Sequence, residues 1–202
     1  MCREEYTVMA ISVEKQQEIT EKRKKQIIDA AMELFDQKGY SNTKITDITG
    51  KAGISKGLLY HYFDSKEEII HAVIERVDKC INECYEVEDA VESLTLFTLR
   101  LLSYPYYENY VPPIRVFFTA LIRGEIKLED DINPVREDFG RTYFSKIFKR
   151  GQEQGYFRDG DPVIFGDGYW KCLVGCMAIM NVDKNNSEYR PDVESMLSIY
   201  RK

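Results

Sequence analysis

No run of apolar residues approaches the ~18 positions that a membrane-spanning helix needs. The longest candidate, Cys172 to Met180, is short and contains Gly175. Histidine is scarce: His61 and His71 are the only two, which leaves little material for a metal centre. Five cysteines, an odd number, do not make a disulfide framework, and reduced thiols are expected. The segment from Met1 to Ile19 carries Arg3, Glu4, Glu5 and Glu14, so it lacks the unbroken apolar centre of a secretory signal. The expectation is a cytoplasmic protein, without membrane partner, that opens with a flexible leader over 1–19. Gly166-Asp167-Gly168 has no preceding strand and no third glycine, so no nucleotide-binding loop is expected there. No nucleophile and base stand at a meaningful spacing either. Neither enzymatic activity nor a cofactor is expected.

What is present is apolar, aromatic and unevenly charged. A 44% hydrophobic content supports one substantial core, or a small domain docked on a larger one. Of 14 Tyr and 10 Phe, most lie beyond position 84, where they can line a pocket as well as fill a core. The net charge is −6, yet residues 20–66 carry +3 and the remainder −9. That asymmetry separates a part that can meet phosphate from a part that cannot.

Periodicity is helical throughout, with no convincing run of strands. Thr20 can cap a helix whose apolar positions are Ile27, Ile28, Ala31, Leu34 and Phe35, and Gly39 is its stop. Ile45, Ile48 and Ala52 mark a second, short helix ended by Gly53. Ser55 is an N-cap for a third, Lys56 to Phe63, with Leu59 and Phe63 inward and Leu58, Tyr60, His61 and Tyr62 toward the outside. Ser65-Lys66-Glu67-Glu68 reads as a capping box opening a long fourth helix. His71, on that helix, flanks its apolar stripe and reads as a surface or packing residue. Breaks at Pro105, Pro112-Pro113, Pro134, Gly155 to Pro162 and Pro191 then divide helices over 87–104, 114–126, 133–154, 162–181 and 191–201.

Helix, tight turn and short second helix is the arrangement that lays a recognition helix in the major groove of DNA. The side chains agree. Between Asn42 and Phe63 the sole acid is Asp47, while Lys44, Lys51, Lys56 and the hydroxyls of Thr43, Ser55 and Tyr60 can address phosphate. Gly57, having no side chain, permits close approach to a backbone phosphate.

The string Gly39-Tyr40, Thr43, Asp47-Ile48, Ala52-Gly53-Ile54-Ser55-Lys56-Gly57, Leu59-Tyr60, Tyr62-Phe63 and Lys66-Glu67 resembles the N-terminal pattern of the TetR-type repressors. The resemblance covers the stretch from Ile27 to Val73. It implies an all-α protein: a three-helix helix-turn-helix domain over 20–66 and a larger helical effector-binding and dimerisation domain over 67–202. It also implies an Ω-shaped homodimer on a near-palindromic operator in double-stranded DNA, released or retuned by a small-molecule effector. Carried over by position, Thr43, Lys56, Tyr60 and Lys66 would meet phosphate, Leu58 and His61 would face base edges, and Ser55 would cap the recognition helix. Two departures stand out. Lys44 replaces a hydroxyl cap, and Thr49-Gly50 replaces better helix formers, so the second helix is expected to be poorly capped and easily frayed.

Behind this domain, Phe97, Leu101, Tyr104, Tyr107, Phe117, Phe118, Leu121, Tyr143, Phe144, Phe148, Tyr169 and Trp170 are the candidate lining of a lipophilic or aromatic effector pocket. They suit a core equally well. Leu173, Cys176, Met177, Met180, Val193, Met196, Leu197 and Tyr200 are the candidate dimer interface. Cys80 and Cys84, and separately Cys172 and Cys176, share helix faces where thiolates can bind metal or sense oxidants, though small core residues are the plainer reading and no metal is expected. The rival to a ligand-responsive repressor is a helical small-molecule-binding protein or enzyme with an aromatic pocket and no role on DNA.

Overall fold

The computed structural model describes residues 3–102, 113–126, 139–182 and 192–202, with side chains from 15 onward excepting 180–182. Tyr104, Tyr107 and the side chain of Met180 fall outside the described residues. The described elements are helical: α1 (Arg3–Lys38), α2 (Ile45–Ala52), α3 (Lys56–Tyr62), α4 (Lys66–Glu86), α5 (Ala90–Leu102), α6 (Pro113–Ile122), a π-helical turn (Gly140–Phe144), α7 (Ser145–Glu153), α8 (Pro162–Val182) and α9 (Val193–Ser198). An isolated antiparallel bridge between Phe157 and Arg201 is the one extended pairing among the described residues. Contacts divide the chain into two compact units, Met1–Val73 and Ile74–Lys202, with the division inside α4.

The first unit is built around α1. That helix does not begin at Thr20, whose hydroxyl instead donates to Gln16 O one turn back. Residues 1–19, expected as a loose leader, are helical from Arg3. A Thr hydroxyl can satisfy itself on the i−4 carbonyl, so a capping residue type does not by itself break a helix. The stop at Gly39 is as expected: its φ of 88° is open to glycine at little cost, and its N–H returns to Phe35 O at 2.9 Å. Ile27, Ala31 and Phe35 from α1, Ile48 from α2, Leu59 and Phe63 around α3, and Ile69 and Val73 from α4 are buried together.

The second unit packs α5, α7 and α8 around an aromatic interior. Leu94, Phe97, Phe118, Phe144, Ile147, Phe148, Tyr169 and Leu173 are almost completely buried. Pro162 opens α8, where its missing N–H costs nothing, and Asp161 accepts from Val163 N at 2.8 Å. The tightest crossing is glycine against glycine. A Cβ on Gly166 would stand 2.5 Å from Ser145 N and 2.6 Å from Gly140 O, so α8 rides directly on the backbone of the π-helical turn.

Candidate nucleic-acid interface

Three devices fix α3 on its unit. Gly53 takes φ 65°, ending α2 in the left-handed conformation, and its N–H reaches Gly50 O. Gln26 Nε2 donates to Ala52 O at 2.7 Å, tying the end of α2 to α1. Ser55 Oγ accepts from Leu58 N at 3.2 Å and starts α3. Ion pairs Lys38–Asp47 and Lys51–Glu33 hold α2 against α1 from its two ends.

Leu59 and Phe63 face inward, and the opposite side of α3 is open. Lys56, Gly57, Tyr60 and His61 are exposed, Tyr60 by 43%, with Leu58 and Tyr62 half-buried between them. Lys56 Nζ sits 5.6 Å from the Tyr60 ring centre, and the His61 and Tyr62 rings meet edge to face at 4.9 Å. This face presents an ammonium, a phenol, an imidazole and an apolar patch without a single carboxylate. Lys44 is exposed beside it at the start of α2.

Two expected phosphate contacts are otherwise engaged. Thr43 is buried to 1% exposure and its hydroxyl donates to Gly39 O at 2.7 Å, closing the α1–α2 turn. Lys66 folds back into the unit: its ammonium donates to Tyr40 O at 2.9 Å and to Thr43 O at 3.2 Å, and lies 4.1 Å from the Tyr40 ring centre. Both residues therefore build the turn between α1 and α2. Tyr40 completes this junction by donating to Glu67 Oε1, and burial first, then the Glu67 charge, push its phenol pKa far up.

The hydroxyl cap expected to be missing from α2 is missing, and Asp47 compensates for it in part. Lys44 has no acceptor to offer, but Asp47, three residues on, accepts from Lys44 N at 2.9 Å, so half of a capping box remains. Its carboxyl is held below the usual range, first by Lys38 and then by the Lys44 N–H. The box at α4 is displaced by one residue: Ser65 Oγ accepts from Glu68 N, while Glu68 reaches back to Asp64 N.

In the second unit the pocket candidates pack on one another. Phe97, Phe118, Tyr143, Phe144 and Trp170 form one ring cluster completed by Phe139, which stacks on Tyr143 and meets Trp170 edge-on at 4.9 Å. Phe139 was missed because a ring in a region of prolines and acids carried no periodic signal. Phe148 belongs to a second cluster, with Phe157, Phe165 and Tyr200, and Tyr169 joins the two. Phe117 and Leu101 are buried and Leu121 is half-buried.

The interface candidates need revision. Leu173, Met177, Leu197 and Tyr200 are buried inside their own unit, and Cys176, Val193 and Met196 are half-buried. The open side of α8 is instead Ile164 (67% exposed), Gly168, Cys172, Gly175 and Ile179 (53% exposed), with Ile199 exposed after α9. Apolar on both sides, α8 gives no sequence cue to which side turns inward.

A turn made by Gly53, with α2 packed on α1 and an outward-facing α3 beyond it, defines a helix-turn-helix protein. Residues 27–73 match the family model described as bacterial regulatory proteins, tetR family. The chain is 36% identical over 77 residues to the HTH-type transcriptional regulator HbdR of Aromatoleum sp. (strain CIB), covering 38% of this chain and 33% of that protein. It is 25% identical over 194 residues to the biofilm operon icaADBC HTH-type negative transcriptional regulator IcaR of Staphylococcus aureus (strain Newman), covering 89% and 99%. Among solved structures, a transcriptional regulator from Saccharomonospora viridis in complex with choline superposes with TM-score 0.62 at 21% identity, over 88% of this chain and 96% of that one. The matched stretch thus spans about a third of HbdR, whereas the likeness to IcaR runs nearly end to end. Over residues 27–73 the chain is thus similar to the TetR family, as its sequence pattern implied. No helix among the described residues is long and apolar enough to cross a membrane.

Proposed function

We propose that this regulator acts in the cytoplasm as a homodimeric repressor that binds a near-palindromic operator through α3 and answers to a small-molecule effector taken up by the second unit. The observation that carries the reading is the carboxylate-free outer face of α3, with its inner face locked by Leu59 and Phe63. Lys56 and Tyr60 are assigned to phosphate, Leu58 and His61 to base edges, and Lys44 to the flanking backbone. Repression is supported by the negative regulator to which the chain is similar over almost its whole length.

Dimerisation is assigned to the open side of α8, where Gly168 and Gly175 allow a second helix to approach closely and Ile164 and Ile179 supply apolar area. The effector site is assigned to the Phe97–Phe139–Trp170 ring cluster, which suits a flat lipophilic or cationic compound. An effector can act only by preferring one spacing of the paired recognition helices over another.

DNA fragments retained by the purified protein supply the operator. Lys56→Ala should then weaken binding to every duplex and flatten its salt dependence by about one counterion. His61→Ala should change which sequences are retained. An unchanged salt slope for Lys56→Ala would overturn the assignment of α3. Candidate effectors are scored by the fluorescence of Trp170, the only tryptophan, and by release of the operator.

A further inference from the structure

We propose that Cys80 and Cys84 form a hydroperoxide-reactive dithiol, with Cys80 as the attacking sulfur, Cys84 as its resolving partner and Arg100 as the cation that holds both. The two cysteines lie one turn apart on α4. Arg100, arriving from α5, places Nη1 3.2 Å from Cys80 Sγ and 3.5 Å from Cys84 Sγ. The same nitrogen is within reach of Cys80 O at 3.1 Å and Glu83 Oε2 at 3.0 Å, which fix the guanidinium against the helix. A single cationic donor thus sits where negative charge would develop on either sulfur.

The two sulfurs are not equivalent. Both are buried, Cys84 completely and Cys80 to 6% exposure, so Cys80 lies the nearer of the two to the surface. Donation from the Cys84 thiol, with Arg100 adding to it against the effect of burial, brings the Cys80 thiol down to about 7. The same hydrogen bond and burial push Cys84 far up. A second arginine stands at the end of this helix: Arg150 donates through Nη1 to Tyr85 O and lies over the Tyr85 ring, while its buried Nε and Nη2 have no hydrogen-bond partner among the described residues. The other pair, Cys172 and Cys176, has no such support among the described residues. Burial there raises Cys176 to about 11.

The chemistry balances with a hydroperoxide as oxidant. The Cys80 thiolate attacks one peroxide oxygen; the O–O bond breaks, an S–O bond forms, and the leaving alkoxide or hydroxide takes the proton the thiol had released. Cys84 sulfur then attacks the sulfenic sulfur. An S–S bond forms, the S–O bond breaks, and hydroxide leaves with the Cys84 proton as water. Two thiols and one hydroperoxide give a disulfide, an alcohol or water, and one further water. Cβ atoms four apart on a helix are about 5–6 Å from each other, and a disulfide needs about 4 Å. Closing it must therefore distort α4 in this turn.

The test uses the full chain with Cys2, Cys172 and Cys176 replaced by Ser, treated with hydrogen peroxide and read by intact and peptide mass. The peptide carrying both thiols should lose two hydrogens. Adding Cys84→Ser should leave a Cys80 sulfenic acid that dimedone traps, and adding Cys80→Ser should abolish both products. Arg100→Met should slow the first step several-fold below neutral pH, because the Cys80 thiolate loses its cationic donor while a less acidic thiol regains part of the rate in nucleophilicity. Cys80 and Cys84 remaining reduced while Cys172 of the unmodified chain is oxidised would overturn the proposal. So would trapping at Cys84 in the Cys80→Ser protein at the rate seen for Cys80.

Discussion

Gly166→Ala tests the backbone-on-backbone crossing of α8 and the π-helical turn. In an exposed helix interior the change from glycine to alanine stabilises by about 1 kcal/mol. Here the new methyl meets Ser145 N at 2.5 Å, Gly140 O at 2.6 Å and Phe144 C at 2.9 Å, all of them backbone atoms that no rotamer change can move. Ordinary carbon contacts begin roughly 1 Å further out. Relief therefore requires α8 and the π-helical turn to separate, and Trp170 Cβ, which already limits Gly140, moves with α8. Overpacking of this kind costs about 1–3 kcal/mol, and with rigid neighbours the upper end applies. Set against the helix gain, the net loss is about 2 kcal/mol, or about thirty-fold in the unfolding equilibrium. Urea unfolding followed through Trp170 should show a midpoint lower by about 1 M at equal protein concentration. Gly50→Ala is the matched control, since a Cβ there meets nothing within 4 Å and α2 should gain about 0.5–1 kcal/mol. A Gly166→Ala protein as stable as the parent would refute the crossing.

Thr43→Val should destabilise the first unit by about 1 kcal/mol, measured by thermal unfolding, and leave operator affinity at fixed salt unchanged well below the melting temperature; a clear loss of affinity there would return Thr43 to the DNA surface. Tyr169→Phe strands the Thr98 hydroxyl, which shares a buried hydrogen bond with the tyrosine, and should cost about 1–2 kcal/mol in the same denaturation assay. Asp89 caps α5 by accepting from Glu92 N at 2.9 Å, and its carboxyl is held below the usual 3.8, first by the Tyr156 hydroxyl and then by that N–H. A depressed folded value means that its contribution is complete above about pH 4 and disappears as pH falls through the folded value. Acid titration of Asp89→Asn should therefore differ from the parent by a constant amount near neutrality, and the two curves should converge below about pH 4.

Much of the first unit is legible in its sequence because local signals and packing agree there. Ser55 caps, Gly53 turns, and Leu59 with Phe63 points inward, each decided within a few residues. What the sequence conceals is competition for the same polar group. Thr43 and Lys66 carry the chemistry of phosphate contacts, yet the carbonyls of Gly39, Tyr40 and Thr43 lie nearer than any duplex. A buried carbonyl left without a donor costs more than a phosphate contact at the surface gains, so the turn claims both side chains. Lys44 shows the converse, because its lost cap is repaired by Asp47, a residue that periodicity alone would place on the solvent side.

In the second unit local pattern decides little, since α8 is apolar around its circumference and its inner side is chosen by shape. Gly166 must face the backbone of Gly140 and Phe144, and that one requirement turns Tyr169, Trp170 and Leu173 inward and Ile164, Cys172 and Ile179 outward. The cysteine pairs make the same point in chemical terms. Cys80–Cys84 and Cys172–Cys176 have identical spacing, and nothing within either helix distinguishes them. The difference arrives from α5, whose register carries Phe97 and Leu101 into the core and so delivers Arg100, between them, to the sulfurs of α4. Packing of apolar neighbours thus determines which of two equal motifs acquires a charge partner, and reactivity follows from that partner rather than from the motif.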